Sequence, residues 1–285
     1  MTTTFPTRRA PGWIARHPVA CGFALMFVCT WPVDLWAAAS SRGWGPPVPV
    51  VLPLLVGYGF VVAAVAMTWL LDGRAGVGVL LRRFLVWRVG LFWYAVVLLG
   101  PAVVGLAAIG LDALLAGRAP DFGQTFGHRI VGSSMALWVA LPLFLVWGVL
   151  TNAEEIGWRG YALPRLLERH SALVASVVVG VVWALWHVPK FLTVGSAQDY
   201  PFWIFVLGSV AKAIVYTWVF VGTRGSLLTV TLLHAAWNTS EVFLPLFPAA
   251  TGDSRALVIA VGLQCLVATV LVVVTGPTRL SRSAP

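Results

Sequence analysis

An all-α, polytopic membrane protein is the fold class this sequence predicts, and three observations predict it. Apolar residues make up 59% of the 285 and charged residues 10%, against roughly 25% charged in soluble domains. Mean hydropathy is +0.89. Eight apolar stretches approach the length of about 20 residues that a membrane-spanning helix needs.

The first stretch covers about 18 to 39 and follows Arg8, Arg9 and Arg16. Its basic flank and the run Ala37 to Ala39 have the pattern of a signal peptide, but it is about twice as long as a typical h-region and contains Pro32 and Asp34, so a retained helix is expected. The second, about 47 to 71, leads into Val77 to Trp87, where Arg82 and Arg83, with Arg88 just beyond, suit a segment resting on the membrane surface. The third covers about 89 to 111 and the fourth about 131 to 150; the rest are 171 to 189, 201 to 222, 226 to 247 and 256 to 276. Loops are short and no repeat is visible. One transmembrane domain over residues 13–277 is expected, with disordered cytoplasmic ends at 1–12 and 278–285.

Assigning loops alternately to two sides puts thirteen basic residues on the side of the termini and five on the other, with Lys212 inside a span. The positive-inside preference then places both termini in the cytoplasm of a cell-membrane protein. The net charge of +9 is read as this topology plus contact with anionic lipid. No compact basic run interleaved with aromatics suggests nucleic acid. Cys21, Cys29 and Cys265 fall in predicted spans and lack paired spacing, so they are expected to pack as small apolar residues. Arginine outnumbers lysine seventeen to two, the bias of a GC-rich bacterial genome.

Three polar signals interrupt the apolar text. Residues 151–159 contain the adjacent Glu154 and Glu155 and, four residues after the second, Arg159. Charge inside a membrane segment is costly and marks function by default. On a helix Glu155 and Arg159 share a face and can pair, while Glu154 is rotated by about 100° toward another neighbour. Downstream, Trp183 precedes His187 by four residues and His234 precedes Asn238 by four, so each pair shares a face. The midpoint between Glu154 and His187 lies at His170 and Ser171, inside the polar run 168–171, so a turn there brings both to similar height on antiparallel helices. The helix carrying Glu154 then continues to about Leu167 and is roughly 55 Å long, an excess that tilt, a kink at Pro142 or protrusion must absorb. Lys212 is placed to pair with Glu241 or Asp34.

These motifs resemble the EExxxR, FxxxH and HxxxN signatures of the CAAX protease and bacteriocin-processing family, also called the Abi family. The similarity covers about residues 130–245 and extends to Trp158-Arg159-Gly160, Trp186 to Pro189 and Thr223 to Leu227. Trp183 stands where the family usually has Phe, a change expected to alter pocket width more than chemistry. The resemblance implies an intramembrane glutamate-type endopeptidase in which Glu154 is the general base, His187 polarises the attacking water, and His234 with Asn238 stabilises the oxyanion; Arg159 counterbalances Glu155.

The resemblance further implies no cofactor. Zinc is the chemical alternative, since Glu154, His187 and His234 are acceptable ligands, although no HExxH helix is present. A non-catalytic scaffold or a bacteriocin-immunity protein is the alternative of a different class; a transporter is disfavoured because the two halves show no inverted symmetry. The expected partners are a peptide or protein substrate, with or without a linked lipid, cleaved near its C-terminus or close to the membrane, and membrane lipid. A cavity open toward the cytoplasm suits such a substrate. Cleavage sequence and oligomeric state are not encoded in any residue pattern.

Overall fold

In a computed structural model of the chain, which describes residues 12–49, 51–117, 119–132 and 135–281, every predicted apolar stretch is helical, and no strand occurs among the described residues. The expected disordered ends lie mostly outside the described residues: Gly12 already opens a helix, and of residues 278–281 Leu280 is fully buried. In chain order the helices are α1 (Gly12–Arg16), α2 (Pro18–Ser40), α3 (Val51–Leu55), α4 (Tyr58–Arg82), α5 (Leu91–Ala116), α6 (Phe126–Val131), α7 (Leu137–Thr151), α8 (Leu163–Leu167), α9 (Ala172–Trp186), α10 (Val188–Phe191), α11 (Phe202–Gly222), α12 (Leu227–Phe243), α13 (Pro248–Thr251) and α14 (Arg255–Thr275). A π-helical turn, Ile156–Ala162, joins the end of α7 to α8.

The expected number of spans, eight, is not reached by length and composition. Five helical segments are long and apolar enough to cross a membrane, and a sixth counts if the bent pair Leu137–Thr151 and Ile156–Leu167 is one span. The stretches predicted at 131–150, 171–189 and 226–247 shorten to helices of 15, 15 and 17 residues, about 22 to 26 Å against a hydrocarbon core of about 30 Å. Hydropathy does not register the local stops. Asn152 ends α7, His187 with Pro189 behind it ends α9, and Ser226 caps α12 by accepting the Thr229 amide at 3.2 Å.

The first predicted span is an integral part of the core. Met26 and Thr30 of α2 are fully buried, the Trp186 indole donates to Thr30 Oγ1 at 2.7 Å, and the Tyr161 hydroxyl donates to the Pro18 carbonyl at 2.7 Å. Around them Phe60 of α4 packs on Trp158 with ring centres 4.8 Å apart and on Trp186 at 5.1 Å. Without a hydrophobic drive between helices in lipid, such packing and interhelical hydrogen bonds carry the association. All three cysteines are free and half-buried.

The two ends of the bundle differ in charge. At one end Ser226 donates to the Val86 carbonyl at 2.6 Å, Arg224 donates to the Arg88 carbonyl at 2.7 Å, and Arg165 pairs with Asp72. At the opposite end Arg255 pairs with Asp112 and Arg129 donates to the Ala249 carbonyl. Residues 277–281 return to the first end, where the Pro277 and Thr278 carbonyls accept the Leu173 and Ala172 amides at 3.0 and 2.8 Å.

α9 and α11 form an extensive contact, and Gly180 sets its closeness. A Cβ at Gly180 would lie 2.7 Å from the Val210 Cα, a backbone atom that cannot swing aside. Gly180→Val is therefore expected to push the helices apart and destabilise the fold by about 1–3 kcal/mol. Thermal unfolding in detergent checks this; an unchanged midpoint would mean the two helices adjust freely.

Candidate active site

The chain bends where the first motif begins. α7 and the helical segment after it meet at 50°, so the excess length expected of this element is absorbed at residues 152–155; Pro142 lies within unbroken α7. The break frees carbonyls at the end of α7, and the Tyr58 hydroxyl donates to that of Leu150 at 2.8 Å. The π turn that follows is buried along its whole length. Such wide turns are rare and concentrate at functional positions, because the extra residue re-aims the side chains around it.

Glu155 and Arg159 pair as their spacing predicts, at 3.0 Å and both fully buried. The same oxygen, Oε1 of Glu155, also meets Nδ1 of His234 at 2.9 Å. The guanidinium lies over the Tyr216 ring at 4.4 Å and the Trp183 ring at 5.2 Å. Among the described protein atoms its Nε and Nη2 have no hydrogen-bond partner, nor has Oε2 of Glu155. The pair is thus tied to a helix 79 residues away, a link that no local pattern displays.

Glu154 faces the other way, 8% exposed. Both of its close donors are indoles, and both meet one oxygen: Trp158 Nε1 donates to Oε2 at 3.3 Å and Trp183 Nε1 at 3.1 Å. The expectation that Trp in place of Phe changes width more than chemistry needs correcting here, because phenylalanine has no N–H to give. Antiparallel α8 and α9, turning at 168–171 as expected, bring Glu154 level with Trp183.

His187 caps the C-terminus of α9. Its Nδ1 lies 2.9 Å from the Trp183 carbonyl. A carbonyl only accepts, so Nδ1 carries the proton and, in the neutral ring, Nε2 is an acceptor. The ring is wedged between Trp186 and Phe205, with centres 4.6 and 4.7 Å away. His234 lies nearer Trp183, with ring centres 5.6 Å apart, and Asn238 follows one turn later on α12.

Glu154, His187, His234 and Asn238 all line one cavity of about 210 Å³. Trp183 lines it too, while Glu155 and Arg159 stand behind its wall. Sequence reasoning missed Asn152, Ser209 and Tyr216, which also line it. Asn152 could have been found as a polar neighbour of the two glutamates; the others have no local signal. Lys212 joins Glu241 at 2.6 Å, one of its two expected partners, and Trp237 donates to the same carboxylate oxygen at 2.8 Å. Lys190, the chain's other lysine, lines the same cavity. The connection before α11 folds nearby: burial, and to a lesser extent the Glu241 charge, hold the Tyr200 phenol above its ordinary pKa range.

Comparison with known proteins gives two findings. Residues 133–240 match the family described as Rce1-like, type II CAAX prenyl endopeptidase Rce1-like. The chain is also 29% identical over 184 residues to the protein named CAAX prenyl protease 2 of Methanococcus maripaludis, covering 62% of this chain and 63% of that relative. The match therefore spans a little under two thirds of the relative's length. The matched segment includes all three motifs and every residue of the Glu154 and Glu155 networks, so the likeness to the Rce1-like family rests on the same residues that build the cavity.

Proposed function

We propose that the cavity is the active site of an intramembrane endopeptidase with Glu154 as its general base. The observation that carries this is the treatment of Glu154: two indole N–H groups meet one oxygen, leaving Oε1 for a substrate water, in a cavity shared with residues of the other two motifs. The water attacks the scissile carbonyl carbon while Oε1 takes its proton and Nε2 of His187 accepts its second hydrogen as a hydrogen bond. Charge develops on the carbonyl oxygen. His234, held at Nδ1 by Glu155, turns its other ring nitrogen to the oxyanion and stabilises it together with the Asn238 amide; preorganised groups of this kind contribute about 3 kcal/mol each. When the tetrahedral species collapses, the C–N bond breaks and Glu154 returns its proton to the leaving amine. Glu155 and Arg159 hold His234 and the π turn in place.

The substrate in this reading is a peptide segment close to the membrane, with or without a linked lipid. In this reading the reaction uses no metal, and among the described residues no three His, Cys, Asp or Glu side chains are grouped to hold an ion.

The test compares newly exposed protein termini in membranes from cells making wild type or His187→Ala at equal level, with and without a chelator. Fragments present only with wild type, and unchanged by the chelator, are expected. Identical profiles in both, with the cellular phenotype intact, would leave a scaffold or immunity role; fragments lost with the chelator would bring back zinc.

A further inference from the structure

The cavity is eccentric in the bundle. Beyond Glu154, Asn152 and Tyr216, its walls come from the last turn of α9, the connection holding Lys190 and Gln198, the first half of α11 and the second half of α12. All of these lie toward the end where Arg255 meets Asp112. Glu154, His187 and His234 are 4–9% exposed, whereas Lys190, Gln198, Asn238 and Glu241 are only half-buried, so exposure rises toward that end. In the other direction the way is filled: Tyr161, Leu163, Tyr216, Val219 and Leu227 are all fully buried.

The charges of the two ends then orient the cavity. Arg82, Arg83, Arg88, Arg165, Arg169 and Arg224 gather at the filled end, against Arg42, Arg129, Lys190 and Arg255 among the described residues at the open one. Short flanking segments rich in arginine and lysine stay in the cytoplasm. We infer that the cavity opens on the extracytoplasmic side and takes its peptide from there, so the substrate class is an exported or already translocated segment. This departs from the expectation of a cytoplasmic mouth, which was drawn from the kind of substrate such a site suits. The inference rests on the endopeptidase reading only for the word substrate; the orientation stands on its own.

Thiol labelling tests it without any turnover. In a chain whose three cysteines are replaced by alanine, single cysteines are placed at Gln198 in the cavity wall, at the exposed Val194 beside it, and at the exposed Arg169 at the other end. A membrane-impermeant maleimide is added to spheroplasts and to inverted vesicles. Val194→Cys and Gln198→Cys are expected to react at least tenfold faster in spheroplasts, and Arg169→Cys at least tenfold faster in inverted vesicles. The reverse pattern overturns the inference. So does a Gln198→Cys that reacts from neither side while Val194→Cys reacts normally, since the cavity would then have no outer mouth. Because these outcomes need no cleavage, they are independent of the terminus comparison.

Discussion

Glu154→Gln is expected to give a normally folded protein whose turnover falls by about 10²–10⁴-fold, the range assigned to general acid–base catalysis. Folding survives because both indoles meet a single carboxylate oxygen. The glutamine carbonyl can occupy that place and keep both hydrogen bonds while its amide nitrogen points to the cavity. Turnover fails because an amide does not accept the proton of water. Trp183→Phe, which removes one donor and retains the general base, is expected to lose on the order of tenfold in kcat, the worth of one hydrogen bond to a charged group. The measurements are the rate of release of a fragment identified by the terminus comparison, and the thermal midpoint of each variant. A Glu154→Gln protein cleaving at the wild-type rate would end the proposed mechanism.

Arg159→Met is expected to be the most damaging change to stability, at about 3–5 kcal/mol. It removes the cation from a fully buried pair and leaves Glu155 facing Tyr216 and His234 without its counter-charge. Replacing both partners, as Glu155→Gln with Arg159→Met, is expected to cost less than Arg159→Met alone, because an uncompensated buried charge is worse than no charge. Unfolding in detergent of the two single variants and the double measures the coupling. Additive losses would mean that the pair is solvated in the native state.

Much of the site could be read from spacing alone. The pairing of Glu155 with Arg159, the separate direction of Glu154 and the turn at 168–171 follow from helical geometry and a polar run in short stretches of sequence, and Glu241 is one of the two partners expected for Lys212. What escaped is what tertiary packing decides. The bond between His234 and Glu155 joins residues whose separation has no period. The bend fell at 152–155, where a polar run meets the end of an apolar helix; Pro142, the residue that local rules single out, lies inside the continuous α7. The off-centre place of the cavity in the bundle escaped for a related reason. Residue counting treats each span as a straight rod of uniform length, while α9 and α12 are short and place their polar residues off-centre.

The return of residues 277–281 to α9 has a consequence for biogenesis. α9 carries Trp183 and His187, yet the first two of its amides are satisfied by carbonyls of Pro277 and Thr278, and Leu280 is sealed beside Ala172 with no exposure. On a ribosome those carbonyls emerge some hundred residues after α9 itself, at about 5–20 residues per second. For several seconds α9 waits in the bilayer with its leading turn unfinished, and a chain halted inside α14 never completes it. Only a polypeptide extended past Thr278 can lock this wall of the cavity, so shorter nascent chains are kept from presenting the finished site.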